Sequence, residues 1–273
     1  MRLANPLGFA PLHKKAPLVG AFFMAVIWGA SVRAEVHCTP PGLLQPVTVR
    51  QVVDGDTLRL TDGRSVRLIG INAPEIGRRG QRSEPLADAA RQRLRALVKA
   101  SGGRLGLVVG KERSDHYGRL LAHAYGRDGR NLEARLLSEG LGYRVAIAPN
   151  VALTRCHRQA ERQAREAGAG LWRRPVVRQA AGLRRPGFAV VTGRIVQVRR
   201  QRSGVSLMID DRLLVTVPAR LQRRLSVSTL ERLEGRQVEV RGWVRERVAA
   251  GSDRRGGPRW TVSLTDPSML EVR

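Results

Sequence analysis

The 273-residue sequence predicts a mixed fold, mainly β with α, built as two β-rich halves of which the first also carries three helices. Three observations carry that expectation. Alternating, β-branched segments recur through both halves. Apolar residues return at helical spacing in three places of the first half. A basic, small-residue stretch over 175–186, bounded by Pro175 and Pro186, separates the halves as a linker. The chain has 49 Lys and Arg against 23 Asp and Glu, a formal net charge of +26, which points to polyanions as partners. With 42% hydrophobic residues it can bury a core, so a disordered basic tail is a poor description.

In chain order, residues 1–34 read as an export signal: His13, Lys14 and Lys15 precede an apolar run from Ala16 to Ala30, and Val32-Arg33-Ala34 is a small-residue cleavage site. The apolar run is shorter than a membrane span needs, and an uncleaved anchor is the competing reading. Removing the segment takes four cations and no acid, leaving +22 for a periplasmic or secreted protein. Residues 35–45 form an N-terminal extension. Strands are expected at 46–53, 56–60, 65–71, 104–111 and 119–125, with Asp62-Gly63 as a hairpin turn between the second and third. Leu86, Ala90, Leu94 and Leu97 predict a helix over 85–100. A second follows Asn131 as N-cap and ends at Gly140, and a third runs from after Asn150 to Gly168, burying Leu153, Cys156, Ala160 and Ala164. Residues 187–273, with a balance of +8, show strands at 190–198, 205–209, 213–217, 238–244 and 260–264 and a helix over 219–232. Five strands with one helix fit a small OB-like β-barrel; a sandwich or open sheet gives much the same pattern.

Three segments carry chemistry. Asp54-Gly55-Asp56-Thr57 sets two carboxylates around a glycine where two strands meet, although Asp-Gly alone marks an ordinary turn. Arg67 stands inside the apolar stretch Val66-Arg67-Leu68-Ile69-Gly70-Ile71, where an unpaired guanidinium costs several kcal/mol, so it requires an anion. Glu75, aimed by Pro74, is one structural partner for it. Asp115-His116-Tyr117-Gly118-Arg119 places an arginine just after a glycine at the start of a strand.

Together, in this order and spacing, these segments resemble the thermonuclease family, whose type member is staphylococcal nuclease. The resemblance covers residues 46–174, ending at Gly170-Leu171-Trp172. It implies a five-stranded OB-fold barrel with three helices and calcium-dependent hydrolysis of DNA and RNA phosphodiesters. It further implies that Arg67 and Arg119 bind the phosphate, that Glu75 activates water, that Asp56 binds the metal with Asp54 close behind, and that Tyr117 contacts substrate. Two guanidiniums suit charge developing on phosphate oxygens, and a hard cation on oxygen ligands can neutralise it. Two departures are visible. Asn72 stands where the family has a second metal-binding aspartate, which removes a negative charge but leaves a carbonyl oxygen, and Ala73 can still offer its backbone carbonyl to Ca2+. Residues 145–150 lack the tyrosines that help hold the nucleotide in the type member.

The remaining signals are weaker. Cys38 and Cys156 suit one disulfide in an oxidising compartment; a buried Cys156 and a loose Cys38 thiol is the other reading. His116, His123 and His157 stand isolated in sequence, and the glycines of Gly106 to Lys111 have the wrong spacing for a nucleotide loop. In the second half, Phe188, Trp243 and Trp260 are the available stacking aromatics, and Arg194, Arg199, Arg200, Arg202, Arg241, Arg245 and Arg247 the candidate phosphate contacts. The expected partner is DNA or RNA bound by a monomer, with no stable protein partner and a membrane only if the N-terminal segment stays uncleaved.

Overall fold

The computed structural model describes residues 36–77, 80–173, 176–247 and 257–273; the expected export signal lies outside the described residues. The first half is a closed barrel. Its strands β1 (Gln45–Val52), β2 (Thr57–Leu60), β3 (Ser65–Leu68), β5 (Arg104–Ser114) and β6 (Leu120–Tyr125) run in the order β1-β2-β3-β6-β5. Only β3 and β6 pair in parallel, and β1 closes the ring on β5. A two-residue strand β4 (Ile71–Asn72) leaves the barrel and pairs instead with β7 (Tyr143–Arg144), a ladder that sequence periodicity is too short to reveal.

Helices α1 (Ala87–Ala100), α2 (Leu132–Ser138) and α3 (Thr154–Glu166) follow the three expected segments. Asn131 caps α2 by accepting the Ala134 amide at 2.8 Å, satisfying one of the free donors of the first turn. The alternation of β2 and β3 sends Leu58, Leu60, Val66 and Leu68 into the core with Leu94 and Leu97 of α1 and Leu136 and Leu137 of α2. Cys38 and Cys156 are joined by a disulfide with Cα atoms 5.7 Å apart, tying the N-terminal extension to α3 across 118 positions. Closing a loop of that length removes denatured-state entropy corresponding to about 5 kcal/mol in the chain-entropy model.

The second half repeats the topology. Strands β9 (Gly187–Gln201), β10 (Gly204–Ile209), β11 (Leu213–Pro218), β12 (Gln237–Glu246) and β13 (Trp260–Ser263) lie in the order β9-β10-β11-β13-β12, and β12 pairs back with β9 to close five strands. Here too the third and fifth strands, β11 and β13, are the parallel pair. Two short strands extend it, β8 (Val177–Gln179) along β9 and β14 (Leu270–Val272) along β12. The expected linker is therefore partly structured: β8 lies within it, and Ala180 and Leu183 are buried in the second core. The single helix expected over 219–232 is instead a 3-10 turn at Ala219–Leu221 and a short α4 (Val227–Glu231). Ser226 interrupts the segment because its hydroxyl accepts the Thr229 amide and starts a new helix there.

The two barrels pack into one compact unit from Val36 to Arg273. Val145 and Ala146, from the first half, belong to the second hydrophobic core. Beside them lies a buried ionic cluster. Arg241, 2% exposed, donates to both Glu161 oxygens at 2.9 and 2.7 Å and to Glu239 at 2.5 Å. Glu239 also receives Arg165 and Arg273, while Arg144, fully buried, reaches Glu271 at 2.9 Å and the Ser268 carbonyl at 3.0 Å. Burial, reinforced by the charge of Arg241, pushes Arg144 down to about 10 against the pull of Glu161 and Glu271. Arg241 is thus a structural ion, which corrects its reading as a phosphate contact. Trp260 is core, and Phe188 and Trp243 pack on each other, with Phe188 also 5.3 Å from Tyr143 of the first half.

Candidate functional site

The turn between β1 and β2 is held by its own carboxylates. The Asp56 amide donates to Asp54 Oδ1 at 3.0 Å, folding residues 54–56 into a tight turn with both acids buried. Gly55 is required there, since a Cβ would come within 2.6 Å of the Ala73 Cβ and 2.7 Å of the Ala90 Cβ on α1. The turn is therefore pressed between α1 and the segment that follows β4. Asp56 links the two: its Oδ2 accepts the Ala73 amide at 2.8 Å, and its Oδ1 accepts the Thr57 hydroxyl at 3.1 Å.

Arg67 finds its anion in Asp56, at 3.0 Å, and not in Glu75, the alternative partner considered from sequence. The β2–β3 register explains this, because Arg67 lies directly opposite Thr57, next to Asp56. The same guanidinium donates to the carbonyls of Leu68 and Ile71 and, at 3.4 Å, to Asn72 Oδ1. Burial raises the Asp56 carboxyl to about 7. The charges of Asp54 and Glu75 add to that rise, while Arg67 and the Ala73 amide oppose it.

Glu75 stays exposed at the mouth of the site, and its backbone is fixed from both sides. Its amide donates to Glu84 Oε2 at 3.0 Å, and its carbonyl accepts the Glu84 amide at 2.9 Å. Arg119 is set by a second turn. Asp115 accepts the amides of Tyr117 and Arg119, each at 3.0 Å, and takes Arg119 Nε at 2.7 Å. Gly118 supplies the positive φ of 76° that this turn needs. Burial works against the Asp115 anion, but these bonds from Arg119 and Tyr117 hold it below its ordinary value. Tyr117 is 73% exposed, with the Arg119 guanidinium carbon 5.5 Å from its ring centre.

Asp54, Thr57, Glu75, Tyr117 and Arg119 line one open cleft of about 590 Å³, to which Arg59 of β2 also contributes. Arg67, Asp56, Asn72 and Ala73 lie behind its floor through the bonds above. Sequence reasoning missed Arg59, although its place two residues after Thr57 on an alternating strand puts both on the same face. It also missed a buried polar cluster: His123 and Glu133 meet at 3.3 Å, His157 bonds Asn131 at 3.0 Å, and the two histidine rings are 5.5 Å apart. Those histidines are therefore not isolated. Burial keeps His157 well below its ordinary value, with His123 and Arg144 adding to the effect.

The donor set near Asp56 is all oxygen: the Asp54 and Asp56 carboxylates and the Asn72 amide carbonyl, which shares the Arg67 guanidinium with Asp56. That chemistry fits a hard divalent cation, and the crowding of Asp54, Asp56 and Glu75 around one arginine leaves negative charge for it to neutralise. Among the described residues no three His, Cys, Asp or Glu side chains group as a metal centre, so neutral oxygens would complete the shell.

Comparison with curated proteins returns no match. Residues 65–174 do match the family model described as staphylococcal nuclease homologue, a stretch that includes Arg67, Asn72, Ala73, Glu75, Tyr117 and Arg119 and begins after the Asp54–Asp56 turn. Over that stretch, less than half of the chain, the sequence is similar to the staphylococcal nuclease homologue family, and its strands belong to the OB-type barrel described above.

Proposed function

We propose that the protein is an exported, calcium-dependent nuclease that hydrolyses phosphodiester bonds of DNA or RNA. The observation that carries this reading is the convergence of Glu75, Asp54, Tyr117 and Arg119 on one open cleft, with the Asp56–Arg67 pair next to the Asp54 and Thr57 that line it. Glu75, exposed to solvent and held by its backbone, accepts the proton of the attacking water at its carboxylate. Arg119, oriented by Asp115, and Arg67, oriented by Asp56, stabilise charge on the phosphate oxygens. Asp56, Asn72 and the Ala73 carbonyl would hold the cation, with Asp54 behind them; when bound, it would neutralise phosphate charge and orient the water. Asn72 predicts weaker calcium binding than a second aspartate would give.

The disulfide supports export to an oxidising compartment, and the excess of positive charge supports a polyanionic substrate bound by a monomer. A second reading, a binding protein that does not cut, is favoured by Asn72 and by the commitment of Arg67 to Asp56. One assay separates them. The purified protein is incubated with single-stranded DNA and RNA across a calcium series and with chelator. Cleavage that needs calcium and falls at least a hundredfold in Glu75→Gln supports the nuclease; binding without cleavage at every calcium concentration overturns it.

A further inference from the structure

Arg59 differs from Arg119, which lines the same cleft, and from Arg67 beside it. Arg67 is held by Asp56 and Arg119 by Asp115, whereas Arg59 is exposed, lines the cleft, and its guanidinium has no carboxylate or hydrogen-bond partner among the described residues. Its direction is fixed by the ladder. Arg59 lies opposite Ser65 and Thr57 opposite Arg67, so these four side chains share the outer face of β2 and β3. Leu58, Leu60, Val66 and Leu68 occupy the inner face. Arg59 and Arg67 are thus diagonal neighbours, about 7 to 8 Å apart at their backbones. That separation is comparable with the distance between successive phosphates of an extended strand. A guanidinium with no internal partner and a planar fork of donors is suited to a phosphate in two-point contact.

We propose that Arg59, with the Ser65 hydroxyl beside it, binds the phosphate one nucleotide away from the scissile one. The site would then select a chain with at least two successive phosphodiesters over an isolated diester. This rests on the nuclease reading above, and its position, one row along the β2–β3 ladder from Arg67, makes Arg59 a residue of substrate affinity with no part in the bond-breaking step.

The test compares two substrates with wild type, Arg59→Ala and Arg59→Lys: a nucleoside aryl phosphodiester with a single phosphate, and a single-stranded oligonucleotide. In Arg59→Ala the ratio of kcat/KM for the oligonucleotide over the single diester is expected to fall about tenfold, through KM. The slope of log KM against log salt is expected to fall by about 0.7, one phosphate contact on a single strand. Arg59→Lys should restore most of the salt slope and part of the affinity. Equal losses on both substrates, or no loss on either with the thermal midpoint unchanged, overturn the assignment. If the wild type cuts neither substrate, the nuclease reading fails separately. The subsite is then read from oligonucleotide binding against salt, where an unchanged slope in Arg59→Ala overturns it.

Discussion

Replacing Arg241 with methionine removes the cation at the centre of the junction between the barrels. The side chain is 2% exposed, and its Nη1 donates to both Glu161 oxygens, at 2.9 and 2.7 Å. Without it, Glu161 keeps the Arg144 amide at 2.9 Å and a longer approach from Arg165 at 3.4 Å, while Glu239 keeps Arg165 and Arg273. Glu161 therefore carries most of the loss. Leaving one member of a buried pair uncompensated costs about 3 to 5 kcal/mol, and the surviving contacts put this case at the low end, about 3 kcal/mol. For a unit of this size that is a fall in Tm of about 6 to 12 °C. Guanidinium unfolding followed by tryptophan fluorescence and by far-UV circular dichroism measures it, since Trp172 and Trp243 flank the junction and Trp260 lies in the second core. Adding Glu161→Gln should recover part of the loss, because the stranded charge is then gone. A loss under about 1 kcal/mol for Arg241→Met alone would refute the claim that this cluster binds the barrels together.

Two further outcomes follow from the site and the cluster. Burial works against the Glu239 carboxylate, but the bonds from Arg165, Arg241 and Arg273 hold it at about 2, below its unfolded value of 4.5. Its contribution to stability is therefore fully present above about pH 4.5 and is lost as pH falls towards 2, at most about 3 kcal/mol. Glu239→Gln should flatten that part of the stability–pH curve, and an unchanged acid slope would contradict the assignment. At the cleft, Asn72→Asp restores one negative charge beside Asp56 and Arg67, so the calcium concentration for half-maximal cleavage should fall about tenfold; titration of activity with calcium checks this, and an equal or higher requirement would exclude Asn72 as a metal-facing residue.

Arg67 shows how far the sequence alone could reach. A guanidinium inside an apolar strand required an anion, and the structure supplies one; which anion depended on the β2–β3 register, which sets Thr57 opposite Arg67 and so brings Asp56 to it. Asp115 and Gly118 were legible because their turn is local. Arg241 was not. It alternates with apolar Val240 and shares its strand parity with exposed Arg245, so the strand reads as half-solvated, and its partner Glu161 is 80 positions away on α3. Local pattern does not carry such a pairing, because it exists only once the second barrel has docked. His123 and His157 are likewise far apart in sequence and meet only when α3 packs within the first half.

Both barrels share one strand order and one parallel pair, yet among the described residues the proposed site is built on the first, and the difference lies in two connections. Between β1 and β2 the chain makes the Asp54-Gly55-Asp56 turn that folds against α1, whereas β9 reaches β10 through Arg202 and Ser203 with no carboxylate at that place. After β3 the chain leaves the barrel as β4 and presents Asn72, Ala73 and Glu75, whereas after β11 it enters a 3-10 turn with no acid before Glu231. The second barrel's connection to the site is mechanical. Arg144, fixed by Ser268 and Glu271, belongs to β7, and β7 is the strand that pairs with β4, setting Arg144 opposite Ile71 and Tyr143 opposite Asn72. The junction thus fixes the backbone that carries Asn72, and fold repetition without the two acidic connections yields a buttress for the site and not a second copy of it.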